Sequence, residues 1–424
     1  MQVSTVANGG GIKPVQGGSC RSCGRGDFVE ILDLGNLPIA HRFLSKPDEK
    51  EELFPLALHF CRDCGLTQIL NAIDPEILYR DYNHNFSSWK PEPHLTSEID
   101  MIFSHGTPRA ALEVGCNDGK FMAELMKVGV SSGVGIEPNP IPAGIAQGRG
   151  LTVYQEMLSP RLCDGIVESH GQFDLVVARQ VLEHLLDIKE FFKCVDRVLS
   201  PDGMLFIDVP DFEPGFRQGD CSVIWEEHVS YFTRSVLDNL LCRYEFTSVA
   251  SENFNFSGGC LSLLARRSSV KEKVGATSES TQDLSELAGT FSGRIANYQN
   301  ALEGALSRAR KNGISVVLYG TGCRANMLVN GLSLGHLIDY SVDDQKERQG
   351  MFLPGSRLPI HSSEKLQAEE GQVLCLLAVN NENEQKVSSK CAEMLGDRVT
   401  CISLHAPKDI CQELKKIENI ILAA

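Results

Sequence analysis

From Arg109 onward, short β-branched runs alternate with helix-length segments, and this alternation restricts the chain more than any other feature. Such alternation predicts parallel sheets whose strands are joined by crossover helices. Residues 112–115, 133–136, 173–177 and 204–209 read as strands, and the block closes near Arg267. Residues 268–281 are rich in Ser, Thr, Lys and Glu and read as a linker. Leu287, Phe291, Ile295, Tyr298, Leu302 and Leu306 then follow at helical spacing, predicting one long helix up to Lys311. A second strand–turn–helix unit opens at residues 315–320. The chain thus divides into an arm (1–19), a Cys-bearing module (20–75), a first α/β block (76–267) and a second (282–424) led by the helix 282–311.

The 424 residues carry 40 Lys+Arg against 55 Asp+Glu, so the net charge is −15. That balance argues against a nucleic-acid surface. No apolar run approaches the roughly 20 residues that span a bilayer. The longest, Val373-Leu374-Cys375-Leu376-Leu377-Ala378-Val379, is strand-sized, so no membrane association is expected. The Gly-rich first 19 residues lack a charged region followed by an apolar block, so no secretory leader is read and a cytoplasmic location is expected. Most of the 15 cysteines are scattered singly through apolar segments, as reduced buried thiols are.

Four cysteines depart from that usage. Cys20-x-x-Cys23 and Cys61-x-x-Cys64 are separated by 37 residues, and Gly24 and Gly65 follow the second Cys of each pair. Two thiolates on one tight turn can face one ion, and two such turns complete an all-sulfur tetrahedron, the closed shell of structural zinc. Such a site serves folding and leaves no position for activated water. The module carries Arg21, Arg25 and Arg62 beside Asp27, Asp33 and Asp63, which is no basic stripe.

Leu112-Glu113-Val114-Gly115-Cys116-Asn117-Asp118-Gly119 stands between a strand and a helix over residues 120–128. Glycines there let backbone amides approach a ligand at a helix N-terminus. Glu137, 22 residues beyond Gly115, is placed to accept from two ribose hydroxyls. A dinucleotide fingerprint would need G-x-G-x-x-G, and acidic Asp118 would repel a pyrophosphate. The turn suits the cationic end of S-adenosylmethionine better. After the strand 173–177, a turn presents Arg179 and Gln180 to the crevice, and a helix is expected to begin there carrying His184 and to end at Leu199-Ser200-Pro201-Asp202-Gly203.

Ile224-Trp225-Glu226-Glu227-His228-Val229-Ser230-Tyr231-Phe232 crowds two carboxylates, an imidazole and two polar aromatics into nine residues. His228 titrates near neutrality and can take a proton from carbon, with Glu227 to orient it. A second cluster, Tyr79 to Trp89, could close over the crevice.

With these residues assembled, the chain resembles the sugar C-methyltransferases, which act with S-adenosylmethionine on nucleotide-linked 4-keto-6-deoxy sugars in deoxysugar biosynthesis. The family's E-x-G-x-N-D-G motif stands as Glu113 to Gly119 and its V-L-x-H-x-x-D motif as Val181 to Asp187. Its E-H-x-S-Y-F motif is intact as Glu227 to Phe232. Gly320, Gly322, Asn326, Leu328 and Asn330 match its C-terminal pattern, followed by Val342-Asp343-Asp344. Two places differ. The family's Tyr three residues before the catalytic His is Trp225 here, and its Tyr-x-Tyr-x-Ser-Ser segment reads Tyr82-Asn83-His84-Asn85-Phe86-Ser87-Ser88.

The resemblance implies a class I, Rossmann-like methyltransferase core, a small N-terminal zinc-binding domain and a C-terminal α/β Rossmann-like domain. It implies His228 as base, with Glu227, His184 and Tyr231 beside it. Glu113, Gly115, Asn117, Asp118, Gly119, Glu137, Arg179 and Gln180 would hold S-adenosylmethionine. Tyr82, His84, Trp225, Gly320, Gly322, Arg324 and Asn326 would meet the nucleotide-linked keto sugar, in a monomer or small homo-oligomer. A methyltransferase with an oxygen or nitrogen acceptor, and a silent zinc- and adenosylmethionine-binding protein, are the alternatives. An NAD-linked oxidoreductase built on the Gly320 unit ranks below both.

Overall fold

The structure, a computed structural model, describes residues 13–15, 17–78, 92–256, 258–268, 278–405 and 410–423. Three sheets organise the chain. The first is antiparallel and begins with β1 (Lys13–Val15), β2 (Phe28–Pro38), β3 (Leu53–Cys61) and β4 (Thr67–Gln68) in spatial order. β2 buries Phe28, Val29, Ile31, Leu32 and Leu34, and the long helix Ser278–Lys311 packs on it.

The second sheet is the α/β core. β5 (Ala110–Val114), β6 (Ser132–Ile136), β7 (Thr152–Tyr154), β8 (Phe173–Arg179) and β9 (Leu199–Pro210) run parallel in the order β7-β6-β5-β8-β9. Their apolar runs (Leu112, Val134, Leu175, Val176, Val177 and Phe206) are fully buried, as a sheet covered on both faces requires. β10 (Ser230–Tyr231) leaves this block and pairs with β4, Ser230 opposite Gln68 and Tyr231 opposite Thr67. β11 (Phe246–Phe254) and β12 (Cys260–Arg267) complete the sheet, β12 running against β9 and against the edge strand β11. Strand order reverses between β5 and β8, where a crevice opens at the carboxyl ends of open α/β sheets.

The third sheet, β13 (Ser315–Tyr319), β14 (Tyr340–Val342), β15 (Ile360–His361), β16 (Val373–Leu377) and β17 (Val399–Ser403), is parallel in the order β15-β14-β13-β16-β17. That is the sequence order of the core repeated strand for strand, a likeness that the two blocks' similar openings only hinted at. The apolar run at residues 373–377 is β16, buried throughout.

Local differences from the sequence reading have clear causes. His184 sits on a single 3-10 turn, Leu182–His184, and the α-helix starts at Ile188, because Asp187 caps it by accepting from the Glu190 amide at 2.8 Å. The segment after that helix belongs to β9: Phe173 pairs with Leu199 and Leu175 with Met204, so residues 200–203 bulge out of the ladder. Pro201 has no amide hydrogen to give it. The long helix begins at Ser278, inside the stretch read as linker, and residues 269–277 lie outside the described residues. Phe291, Ile295, Leu302 and Leu306 face the core as their spacing predicted. Among the described residues no helix is long and apolar enough to cross a membrane.

Candidate functional site: a cleft shared by three sheets

The four paired cysteines converge. Their sulfur atoms all lie within 4.8 Å of one another, with Cys20 to Cys64 and Cys23 to Cys61 each at 3.6 Å. Each pair wraps one tight turn: the Gly24 amide donates to the Cys20 carbonyl and Gly65 to Cys61, both at 2.8 Å. Those glycines take φ of 74° and 80°, a conformation other residues adopt at a cost. Zinc–sulfur bonds of about 2.3 Å put tetrahedral sulfurs about 3.8 Å apart, close to the two 3.6 Å separations, so the donor set fits zinc. The Gln68 side-chain amide points at the Cys20 sulfur from 3.2 Å, a second layer of support.

A cavity of about 940 Å³ lies where the three sheets meet. Its floor is the turn after β5. Gly115 and Cys116 donate to the Ile136 carbonyl, and Gly115 (φ 68°) passes so close to Val181 that a Cβ would stand 2.6 Å from a methyl group. Gly119 (φ 74°) is as tightly placed against Leu151 and Ala146. Glu113 is buried beneath the turn, one carboxyl oxygen has no partner among the described residues, and burial pushes its pKa up to about 8. That orphan acceptor at a glycine cradle fits the ammonium end of an amino-acid-bearing cofactor.

Several residues read from sequence as cofactor contacts are engaged elsewhere. Asp118 lines the cavity, but its carboxylate pairs with Arg149 at 3.0 Å and accepts from the Lys120 amide. Arg179 is held between Glu92 (3.2 Å) and Glu98 (3.0 Å), its guanidinium over the Phe121 ring. Gln180 donates to Asp208 at 2.9 Å. Both line the cavity with their charges and amides already matched. Glu137 stands outside the lining, accepting from the Asn117 and Asn139 amides at 3.0 and 2.8 Å. It shapes the turn.

The loop before β10 forms the opposite wall. His228 is 6% exposed and lines the cavity with Trp225, Glu227, Tyr231 and His184. Its ring lies 3.8 Å from that of Trp225 and 4.8 Å, edge-on, from that of His184. His184 Nδ1 meets the Glu227 carbonyl at 2.9 Å, and the Tyr231 hydroxyl donates to the Trp225 carbonyl at 3.2 Å. The zinc module holds this loop: Arg21 and the Ile69 amide both donate to the Val229 carbonyl.

The third sheet supplies the rim. Gly320 (φ 99°), Gly322 and Arg324 line the cavity at the turn after β13. Arg324 is 8% exposed. It reaches Asp220 (3.3 Å) and Ser222 (3.1 Å) with one nitrogen, while Nε and Nη1 have no partner among the described residues. Asn326, expected at the substrate, is instead wholly buried outside the lining, donating to the Ala40 carbonyl at 2.7 Å. It ties two domains together. Tyr82 and His84 lie outside the described residues, as does the rest of the 79–89 cluster. Sequence reasoning missed His41, Glu183, Thr321 and Arg348, which also line the cavity. Glu183 and Thr321 sat inside recognised motifs, each at a variable position.

Three family models match the chain in the order of its sheets. A zinc binding domain matches residues 20–79, a methyltransferase domain 85–251 and a C-methyltransferase C-terminal domain 255–402. The chain is similar to the C-methyltransferase NovU of Streptomyces niveus, 27% identical over 388 residues, 87% of this chain and 91% of that one. The chain is a class I S-adenosylmethionine-dependent methyltransferase. Its three parts are those of a C-methyltransferase with an N-terminal zinc domain, and its cofactors are S-adenosylmethionine and zinc. Within the methyltransferase core, the mitochondrial ubiquinone biosynthesis O-methyltransferase of Homo sapiens is 37% identical over 101 residues, 23% of this chain and 27% of that one. N-methyltransferase NodS from Bradyrhizobium japonicum WM9, solved with S-adenosyl-L-homocysteine, covers 45% of this methyltransferase and 97% of its own chain (20% identity, TM-score 0.35).

Proposed function

We propose that this methyltransferase acts on a nucleotide-linked 4-keto-6-deoxy sugar and that His228 removes the proton from the carbon beside the ketone. One observation carries the reading: the His228 imidazole, the glycine turn after β5 and the Gly320–Arg324 turn all face one cavity. A ketone acidifies the neighbouring C–H bond, and an imidazole is matched to accept that proton near neutral pH. S-adenosylmethionine, when bound, supplies a methyl group already activated on sulfonium.

The chain's own work is alignment and proton removal. The C–H bond breaks, its proton passes to the His228 ring, and its electron pair is delocalised to the ketone oxygen. With S-adenosylmethionine bound, that carbon would take the methyl group from the sulfonium, which would leave as a neutral thioether, and the ketone would be restored. Glu227, held by His41, orients the loop, and Gly115 with Glu113 seats the cofactor's amino-acid end. Gly322 and Arg324, near the N-terminus of the helix Cys323–Gly331, favour the pyrophosphate of the sugar nucleotide.

The test is incubation of the zinc-loaded enzyme with several such sugars plus S-adenosylmethionine, reading product mass for the gain of one methylene. His228→Ala should abolish transfer while calorimetry still shows cofactor binding. The core's likeness to O-methyltransferases keeps a hydroxyl acceptor as the second reading. A keto sugar whose carbon-bound hydrogen exchanges in deuterated water, catalysed by the enzyme, separates the two.

A further inference from the structure

Glu183 lies on the 3-10 turn after β8, with its backbone pinned by the Val229 amide, which donates to its carbonyl at 2.8 Å. Its side chain is 1% exposed and lines the same cavity as His184 and His228. A carboxyl oxygen, a ring nitrogen of His184 and a ring nitrogen of His228 lie within 4.8 Å of one another. Neither Glu183 oxygen has a hydrogen-bond partner among the described residues. Buried polar groups without partners are rare and costly, so two on one side chain facing a cavity point to a ligand. Burial, with Asp208 nearby, pushes this carboxyl well above the usual range, which favours its protonated form.

The proposed reaction needs such a proton-bearing group. Negative charge develops on the ketone oxygen when the neighbouring proton leaves, and a dry site must meet it with a fixed donor. Two other polar groups on this wall are committed: Tyr231 donates to the Trp225 carbonyl, and His184 Nδ1 is engaged by the Glu227 carbonyl. A buried carboxylic acid kept neutral serves as the oxyanion donor in ketosteroid isomerase.

We propose that Glu183 donates the hydrogen bond that holds the sugar's ketone oxygen as it becomes an enolate. The assignment rests on the keto-sugar reading above. The Glu183 proton stays on its carboxyl throughout, while the carbon-bound proton goes to His228. After the new carbon–carbon bond forms, the oxygen is a ketone again and the hydrogen bond relaxes to its starting strength.

The experiment measures two rates in the zinc-loaded enzyme: deuterium exchange into the keto sugar without S-adenosylmethionine, and methyl transfer with it. Loss of an oxyanion donor costs about 10²–10³-fold, so Glu183→Leu should slow both by that factor, with cofactor affinity changed less than about threefold. Glu183→Gln keeps an N–H donor and should recover to within about tenfold of the native rates. Should Glu183→Leu fail to fold, Glu183→Asp, which withdraws the carboxyl by one methylene, carries the same comparison. Native exchange rates in Glu183→Leu, or a Gln variant as slow as the Leu variant, would overturn the assignment. So would turnover dependent on added Mg²⁺ or Mn²⁺, which would make Glu183, His184 and His228 ligands of a cation. Native enzyme that exchanges no hydrogen in any keto sugar overturns the keto-sugar reading itself, and the donor role with it.

Discussion

Nδ1 of His41 lies 2.8 Å from Oε1 of Glu227, so the zinc module reaches directly into the loop that carries the proposed base. Both side chains are nearly buried, and the adjoining Ala40 amide donates to Glu226 at 2.7 Å. A hydrogen bond to a charged group contributes about 1.5–3 kcal/mol, so His41→Leu should lower kcat about tenfold to a hundredfold. Because His41 acts through Glu227, cofactor affinity by calorimetry should hold, and His41→Asn should recover part of kcat. An unchanged kcat in the Leu variant would leave His41 as packing alone.

Removing zinc should disable chemistry before it disables cofactor binding. β10 begins two residues after His228 and is held by β4, four residues beyond Cys64 at most, while Arg21 inside the first knuckle donates to the Val229 carbonyl at 3.1 Å. Structural zinc contributes folding free energy outright. Cys61→Ser should therefore lose zinc by elemental analysis and reduce methyl transfer at least about a hundredfold, with S-adenosylmethionine affinity changed by less than about tenfold. Equal loss of both would show that the core depends on the module for its own fold.

The fold was largely legible because its signals are local. β-branched runs mark the strands, Cys-x-x-Cys-Gly marks the knuckles, and the 120–128 helix begins and ends where its pattern does. The site was legible only where one segment carries it, as with Gly115 and His228. His41, Arg348 and the β4–β10 pairing reach the cleft through contacts far apart in sequence, and no periodicity announces such contacts. Asn326 misled for the converse reason. It stands in a glycine-turn pattern that looks like ligand recognition, yet at four residues past Gly322 the helix has already turned its side chain toward Ala40.

Glu226 should make stability depend on pH. It is 6% exposed, and burial, with Glu227 alongside, raises its pKa to about 7; the Ala40 amide and His41 offset part of this. Below pH of about 4 both folded and unfolded chains hold its proton, and the group contributes no dependence. From there to about pH 7 the unfolded chain has lost a proton that the folded chain keeps, so stability falls as pH rises, by about 3 kcal/mol in all. Glu226→Gln removes the titration. In urea unfolding, its stability relative to the native enzyme should rise by about 2–3 kcal/mol between pH 5 and pH 8. A gap that stays constant across that range would place the ionised form of Glu226 comfortably in the fold.

Arg324 should govern affinity for the nucleotide-linked substrate. Asp220 and Ser222 hold one end of its guanidinium, leaving Nε and Nη1 buried and unmatched at the rim of the cavity. The Gly258 backbone crowds it, with a Cβ there meeting Nη1 at 2.5 Å, so the fork has little room to swing. A fixed fork of this kind suits a phosphate oxygen pair, and Lys would keep the charge while losing the geometry. Arg324→Leu should raise KM for the sugar nucleotide at least about tenfold, with Arg324→Lys between it and the native value. Inhibition by the free nucleoside diphosphate should weaken in parallel, since the lost contact is to phosphate and not to the sugar. A raised KM with undiminished diphosphate inhibition would move Arg324 from the pyrophosphate to the sugar ring, and unchanged values of both would make its ion pair with Asp220 purely structural.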